Sequence, residues 1–303
     1  MLSLLIVVGL LVLALPAFFL IVGEEGHFHR STWKFFRESG IRLRTLHGYI
    51  YMRWTQKYIN ALFGMTGSGQ SASKGEYWLA ERYHAKVLTH EHACSIINLD
   101  KPIKRRALDQ IVPYPIARDI LLQASPDIVV YECVCRNKQE KHCEPTQVCM
   151  IVGRPFTDLV LEHHPGQARR LDRAAALELL EAEHLRGHVH TAWFKDAMMG
   201  RFYAICNCCK CCCGGIHEMA VRGVPMITSS GYVAQLDAAL CAQCGDCVEA
   251  CPFRAIRQTD DAVLHDWNRC FGCSVCEVTC ATGAITMVRD ERKGLPMDVR
   301  TMA

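Results

Sequence analysis

Nucleotide-binding loops are missing from this 303-residue sequence, which contains neither G-x-x-x-x-G-K-[ST] nor a G-x-G-x-x-G after a predicted strand. Flavin or nicotinamide binding by this chain alone is therefore not indicated. No C-x-x-C-H motif occurs, so covalent haem attachment is not indicated either. Charge of one sign is not in large excess, since 34 Lys and Arg face 31 Asp and Glu. Nothing in this balance indicates nucleic-acid binding.

Charged side chains are also absent from the first 23 residues. Their apolar run is long enough, at ~1.5 Å per residue, to cross a hydrocarbon core of ~30 Å. We therefore predict an N-terminal transmembrane helix over residues 1–23. A cleaved signal peptide is disfavoured because no basic region precedes the run, and a buried core helix is the other alternative. Lys and Arg residues after the run predict a single span with cytoplasmic soluble domains.

The segments after the apolar run differ in composition. Residues 24–63 interleave basic and aromatic side chains, which is typical of basic amphipathic helices next to a membrane. An ordinary amphipathic helix packed on the next domain fits equally well. Gly and Ser dominate residues 64–75, which predicts a linker. These boundaries leave a cysteine-rich α/β domain over residues 76–232 and a C-terminal domain over residues 233–303.

Cysteine is abundant, with 19 residues in the chain. Disulfide scaffolds are usually short secreted chains, so clustered thiols here predict metal sites in a reducing compartment. Eight of the cysteines form two copies of the spacing C-x2-C-x2-C-x3-C between positions 241 and 280. A shift of 29 positions maps one copy onto the other, and also maps Asp237 onto Asp266 and Ala255 onto Ala284. Such a repeat predicts pseudo-two-fold symmetry.

The duplicated spacing fits two cubane clusters, because three thiolates of one loop bind three corners and the fourth cysteine reaches the other cluster. It resembles the bacterial two-cluster ferredoxins and the ferredoxin-type domains of larger oxidoreductases, over roughly residues 233–288. Proline normally follows the last cysteine, and Pro252 does so here but Ala281 does not. Zinc also binds C-x-x-C pairs, but four ligands per ion do not explain this repeated spacing. The predicted ligands of the first [4Fe–4S] cluster are Cys241, Cys244, Cys247 and Cys280, and those of the second are Cys270, Cys273, Cys276 and Cys251.

The middle domain mixes helical and strand patterns, and together with the ferredoxin-like repeat it predicts an α+β fold class. Its topology stays open at this stage. Asp172 is a predicted helix N-cap and Gly187 a predicted helix stop. The predicted helices lie near 91–98, 114–123, 156–163 and 172–185, and the predicted strands lie at 128–134, 188–193, 202–206 and 224–228.

Ten thiols of the middle domain form a second constellation, and we predict at least one additional iron–sulfur cluster there. Side chains two apart on a strand share a face, which favours Cys133 with Cys135 and Cys206 with Cys208 as ligands. Ligation by individual residues of 211–213 stays open, because free cysteine is often a small buried hydrophobe. The lone Cys94 is predicted to be structural. The predicted metal ligands of this domain are Cys133, Cys135, Cys143, Cys149, Cys206, Cys208 and Cys209.

These patterns predict a membrane-anchored iron–sulfur electron-transfer protein. Expected partners are a flavoprotein, a hydrogenase or a membrane oxidoreductase, together with the lipid bilayer. A catalytic cluster in the middle domain is the first alternative, suggested by the surplus cysteines and the nearby residues 188–195. A surface hairpin with a satisfied core histidine explains that segment as well and is favoured. A zinc-bound middle domain that supports the ferredoxin part is the second alternative.

Overall fold

An antiparallel sheet organises the middle part of the chain. The computed structural model describes residues 14, 29–64, 80–106, 108–114 and 119–302. The strands described before position 230 are β1 (Tyr83–Val87), β2 (Ile103–Arg106), β3 (Asp119–Leu122), β4 (Ile128–Glu132), β5 (Gln147–Val152), β6 (Ala168–Leu171), β7 (Val189–Lys195), β8 (Phe202–Cys208) and β9 (Ile227–Thr228). Seven of them form one sheet in the order β6-β4-β5-β8-β7-β1-β9, while β2 and β3 form a separate ribbon. Within the sheet only β1 and β9 pair in parallel.

Both faces of the sheet are covered by buried cores. Strand β7 is buried along its whole length, which fits its largely apolar sequence. Trp193 and Phe194 are adjacent residues of β7 and belong to different cores, because successive side chains of a strand point to opposite faces. The Trp193 core also contains buried cysteines, among them Cys208 and Cys213. This face therefore carries the middle-domain thiols.

Helices cover the sheet. They are α1 (Arg30–Ser39), α2 (Leu43–Arg53), α3 (Thr55–Gly64), α4 (His90–Ile97), α5 (Val134–Asn137), α6 (Phe156–His163), α7 (Arg173–Leu185) and α8 (Gly214–Arg222), with 3-10 helices at Asp196–Met198, Glu291–Lys293 and Val299–Thr301. The start of α7 is capped by Asp172, whose Oδ1 accepts a hydrogen bond from the Ala175 N–H at 2.8 Å. Gly187 beyond its end has φ +74°, a left-handed value that favours glycine.

The three helices over residues 30–64 pack onto the middle domain. Thr32 Oγ1 lies 2.8 Å from His163 Nε2 at the end of α6. Phe35 of α1 is fully buried. Tyr51 of α2 reaches the sheet, with its hydroxyl 3.1 Å from that of Tyr203 on β8. Phe35 and Tyr51 therefore face protein, whereas Trp33 of α1 is 66% exposed.

The predicted transmembrane helix is corrected by the structure, and with it the predicted fold class and membrane localisation. No helix among the described residues is both long and apolar enough to cross a membrane. The 13-residue α7 is only about 20 Å long at ~1.5 Å per residue, less than the ~30 Å of a hydrocarbon core. The predicted span 1–23 itself lies, apart from residue 14, outside the described residues.

The helices predicted at 91–98, 156–163 and 172–185 are α4, α6 and α7. The strands predicted at 188–193 and 202–206 correspond to β7 and β8. The strand predicted over 128–134 ends at residue 132 and is followed by α5, and the one predicted over 224–228 is limited to residues 227–228. The helix predicted over 114–123 is wrong, because residues 119–122 form β3. Pairing with β2 over four residues satisfies its backbone instead. Residues 115–118 lie outside the described part of the chain.

The C-terminal unit has the pseudo-two-fold symmetry that the repeat predicts. It contains β10 (Tyr232–Leu236), α9 (Asp246–Ala250), β11 (Ile256–Gln258), β12 (Val263–His265), α10 (Val275–Thr279) and β13 (Ile285–Arg289). The 29-residue shift maps α9 onto α10. The Asp237 N–H donates to the Ala284 carbonyl at 2.8 Å, and the Asp266 N–H donates to the Ala255 carbonyl at 2.7 Å. The 29-residue shift maps each of these two hydrogen bonds onto the other.

A buried ion pair connects α5 to α7. Arg136 Nη2 donates to Glu183 Oε2 at 2.7 Å, and His188 Nδ1 lies 2.7 Å from the same oxygen. The same guanidinium nitrogen donates to the Asn207 carbonyl on β8 at 3.1 Å. Burial alone would raise the pKa of Glu183, but hydrogen bonds from His188 and Arg136 lower it. The pair thus holds the cysteine-bearing ends of β4 and β8 together.

Replacing Glu183 by Gln should destabilise the protein. The substitution leaves the Arg136 guanidinium buried without a counter-charge, and we expect a loss of about 3–5 kcal/mol of unfolding free energy. Urea unfolding at neutral pH, followed by circular dichroism, measures this as a lower midpoint. The control is Glu178→Gln, an exposed position on the same helix. Equal midpoints for the two variants would contradict the prediction.

Candidate metal centres

The first thiol group of the C-terminal unit lines one cavity. Three of its cysteines come from the loop that leads into α9, and the fourth follows α10. The lining cysteines are Cys241, Cys244, Cys247 and Cys280. This is the set that the spacing assigned to the first cluster, although ligation itself stays a prediction.

The second thiol group lines another cavity in the mirrored arrangement. Here the loop before α10 contributes three cysteines and the end of α9 contributes one. The lining cysteines are Cys270, Cys273, Cys276 and Cys251. Each cavity therefore combines three thiols of one repeat with the fourth of the other, as the crossed assignment predicts.

Backbone N–H groups point at these sulfurs, which suits thiolate ligands. The Ala255 N–H donates to Cys251 Sγ at 3.2 Å, and the Ala234 N–H donates to Cys270 Sγ at 3.5 Å. Burial raises the pKa of Cys276 to about 12, with the neighbouring thiols of Cys251 and Cys270 adding to the effect. A raised pKa means that deprotonating the buried thiol is unfavourable. A bound metal offsets this unfavourable free energy because coordination stabilises the deprotonated sulfur. The donor set therefore fits iron–sulfur clusters.

Glycine is required in the second loop. Gly272 has φ +62°, and a Cβ there would come within 2.2 Å of the Tyr232 carbonyl oxygen. Its own carbonyl accepts a hydrogen bond from Ser230 Oγ at 2.7 Å. The loop thus lies directly against β10, which places its cysteines.

Six thiols of the middle domain form a closed ring around a third cavity, which we call the six-thiol ring. Each ring member interacts with two others, and these interactions shift its pKa. The neighbouring thiols of Cys133 and Cys213 lower the pKa of Cys135, and those of Cys206 and Cys213 lower the pKa of Cys208. The thiolate form that metals bind is thereby favoured at two positions. In ring order the members are Cys133, Cys135, Cys213, Cys208, Cys206 and Cys149.

Strand ends bring the ring together. Cys133 and Cys135 follow β4, Cys149 lies on β5, and Cys206 and Cys208 lie on β8. Strand β5 is the neighbour of both β4 and β8 in the sheet, so the three strand ends are adjacent. The sequence left Cys213 open, and the structure places it in the ring at the start of α8.

A buried lysine lies beside the ring. Lys195 Nζ is 4.0 Å from the centre of the Tyr51 ring and 3.9 Å from that of Tyr83, and it donates to the Tyr51 hydroxyl. Burial lowers the pKa of Lys195, whereas negative charge on Cys206 and Cys135 raises it. The pKa of Lys195 stays below its ordinary value, and negative charge on the ring thiols opposes this shift by favouring the ammonium form.

The remaining four of the ten clustered middle-domain thiols lie in a separate group, which we call the outer tetrad. Their Sγ atoms all lie within 4.8 Å of one another. Cys143 and Cys209, both predicted metal ligands of the middle domain, belong here, and Cys209 also borders the six-thiol cavity. The sequence left the other two members open. The tetrad consists of Cys143, Cys209, Cys211 and Cys212.

Histidines near β7 are buried and bonded. His188 pairs with Glu183, and His190 Nδ1 lies 2.6 Å from Asn207 Oδ1. The hairpin of β7 and β8 is central and not at the surface, unlike the predicted surface hairpin. Sequence reasoning missed that His90, His184 and His190 converge, with ring nitrogens within 4.8 Å of one another. Cys94 Sγ lies 3.4 Å from His90 Nε2 beside them.

The C-terminal unit is similar to known iron–sulfur proteins. A family model described as a 4Fe-4S binding domain matches residues 233–256. Hydrogenase-4 component A of Escherichia coli (strain K12) is 31% identical over 84 residues, which is 27% of this chain and 41% of that protein. An iron-sulfur protein of Rhodospirillum rubrum is 34% identical over 98 residues, 28% of this chain and 51% of that protein. Pyruvate synthase subunit PorD of Methanocaldococcus jannaschii is 36% identical over 58 residues, 19% of this chain and 67% of that protein.

Through this unit the chain belongs to the ferredoxin-type [4Fe–4S]-binding family. It is an iron–sulfur protein similar to hydrogenase and oxidoreductase subunits, and its cofactors are [4Fe–4S] clusters. The chain spans about half of the Rhodospirillum protein and less of the hydrogenase component. No solved structure matches it.

Replacing Cys251 by Ser tests the crossed ligand sets. The cavity geometry predicts damage to the cluster of Cys270, Cys273 and Cys276, and not to that of the loop that Cys251 follows. Electron paramagnetic resonance of the dithionite-reduced protein should lose or change one of the two ferredoxin signals. Cys280→Ser is the matched variant and should affect the other signal. If both variants altered the same signal, the crossed assignment would be wrong.

Proposed function

We propose that this protein carries three iron–sulfur clusters in sequence, two in the C-terminal unit and one in the six-thiol ring, and that it transfers single electrons between redox proteins. The observation that carries the proposal is the shared core between these sites. Phe253 and Val275 of the C-terminal unit belong to the same buried cluster as Cys208 and Cys213 of the ring. When bound, the clusters supply one-electron redox chemistry with little structural change.

The contacts between the units support this arrangement. The Ser230 N–H donates to the Phe271 carbonyl at 3.0 Å, and Arg269 Nη2 donates to the Ala220 carbonyl at 3.2 Å. Phe253 and Phe271, both of the C-terminal unit, lie with their ring centres 4.5 Å apart. The two hydrogen bonds hold the Cys270 loop against the middle domain.

The proposed partner is a redox enzyme, of the kind whose subunits this chain resembles. Residues 233–303 contain ten acidic and seven basic side chains. A mildly acidic surface of this kind favours a basic docking partner and increases its association rate. A flavoprotein or a hydrogenase is the proposed donor or acceptor.

A catalytic role for the six-thiol ring is the second candidate. Six thiols exceed the four that one cubane needs, and the cavity wall includes Tyr51, Tyr83 and Lys195. Such a site has surplus ligands and polar groups for a bound substrate. A ring-cluster spectrum that changes when a substrate is added would favour this candidate over simple electron transfer.

Metal analysis of anaerobically purified full-length protein tests the three-cluster proposal. We expect about 12 irons and about 12 acid-labile sulfides per chain, since each cubane contains four of each. The double variant Cys133→Ser/Cys208→Ser should retain roughly eight irons and both ferredoxin signals. Cys94→Ser is the matched control outside the ring and should retain all of the iron and sulfide. About eight irons in the unmodified protein would overturn the third cluster.

Lys195→Met should lower the reduction potential of the ring cluster. Reduction adds one negative charge, and the Lys195 ammonium stabilises that charge at close range in a buried site. Redox titration followed by electron paramagnetic resonance measures the shift. The control is Lys86→Met, because Lys86 is also buried. Its neighbours in β1, Ala85 and Val87, face the ring side of the sheet, so Lys86 faces the opposite side. Equal shifts in both variants would contradict a local effect.

A further inference from the structure

We propose that the outer tetrad is a second metal site of the middle domain, a mononuclear tetrathiolate site that binds Zn²⁺. It is distinct from the six-thiol ring in both its ligands and its metal. Its ligands are Cys143, Cys209, Cys211 and Cys212.

The spacing of the sulfurs selects a single ion. Four thiolates around one Zn²⁺ at ~2.3 Å in tetrahedral geometry lie ~3.8 Å from one another. In the tetrad all four Sγ atoms lie within 4.8 Å of one another, with Cys143 and Cys211 at 2.9 Å and Cys211 and Cys212 at 3.5 Å. A cubane holds its thiolates farther apart, because each of them binds a different iron. The tetrad is thus too compact for a cubane and close to the size of a zinc site.

Adjacent cysteines of the segment after β8 are divided between the tetrad and the ring. Cys208 belongs to the ring and the adjacent Cys209 to the tetrad, while Cys212 belongs to the tetrad and the adjacent Cys213 to the ring. Cys208 and Cys209 are neighbours at the end of β8, where successive side chains point to opposite sides, while Cys212 and Cys213 lie in the turn before α8. Ten thiols in one region therefore divide into six and four, which explains why the domain has more cysteines than one cluster needs.

The four ligands come from two segments next to the paired strands β5 and β8. Cys143 lies between α5 and β5, and the other three lie in the turn between β8 and α8. A zinc site with four protein ligands has no open position, which is typical of structural sites. Lys210, inside this turn, donates to the Glu249 carbonyl at the end of α9. The ion would fix the turn that delivers Cys208 and Cys213 to the ring and also contacts the C-terminal unit.

The test uses full-length protein expressed with zinc, purified without oxygen or chelators and analysed for zinc and iron together. We expect about one zinc per chain, lost in Cys143→Ser and in Cys211→Ser while iron and the ferredoxin signals stay unchanged. Cys211 is exposed, so its replacement should leave the fold intact. Protein refilled with Co²⁺ should show the absorption of a tetrahedral tetrathiolate, and neither variant should show it. Cys94→Ser is the control and should retain zinc.

Several results would overturn the proposal. Loss of about four irons in Cys211→Ser, with no zinc in the unmodified protein, would make the tetrad a cubane site. Loss of one iron in place of zinc would refute zinc as the metal. Zinc that persists in both cysteine variants but disappears in His184→Gln/His190→Gln would place the ion at the imidazole group. None of these outcomes depends on electron transfer, which the ferredoxin signals report separately.

Discussion

Repulsion between converging thiolates is the physical constraint on which the rest of this structure depends. Two unit charges ~4 Å apart cost about 4 kcal/mol at an effective dielectric constant of 20, and every thiol group here contains at least four sulfurs. Burial is the main cause of the raised pKa of Cys276, and the charges of the neighbouring thiols of Cys251 and Cys270 raise it further. Bound metal offsets the repulsion, and N–H donors such as those of Ala234 and Ala255 reduce what remains. Assembly of these groups and loading with metal are therefore coupled.

The constraint also explains how the units are joined. In the C-terminal unit each repeat supplies a cysteine to the cavity of the other, so neither half is complete by itself. In the middle domain the ring closes only where three adjacent strands end and α8 begins. The buried pair of Arg136 and Glu183 holds these ends, because it contacts the segment after β4 and the Asn207 carbonyl of β8. The shared core of Phe253 and Val275 then fixes the second ferredoxin site next to the ring.

Much of the local structure could be predicted because short-range chemistry determines it. Asp172 caps the start of α7, and Gly187 with its left-handed backbone conformation follows its end. The 29-residue repeat is visible in the equivalent backbone hydrogen bonds that Asp237 and Asp266 donate. Residues 119–122 were predicted to be helical and form a strand, because pairing with β2 outweighs local preference. The apolar run at the N-terminus was assigned from hydropathy alone, and no described helix supports a membrane span.

The sequence by itself determined the ferredoxin-type repeat, its eight cysteines and their crossed grouping, because the spacing within each loop limits which corners of a cluster it can reach. Only the tertiary structure decided how the ten middle-domain thiols divide. Cys143 is separated from Cys211 by 68 positions, and their contact depends on where β5 and β8 end. Placing Cys213 in the ring and Cys212 in the tetrad depends on the backbone path of one turn. Linear spacing does not encode that path, since strand order and packing determine which ends meet.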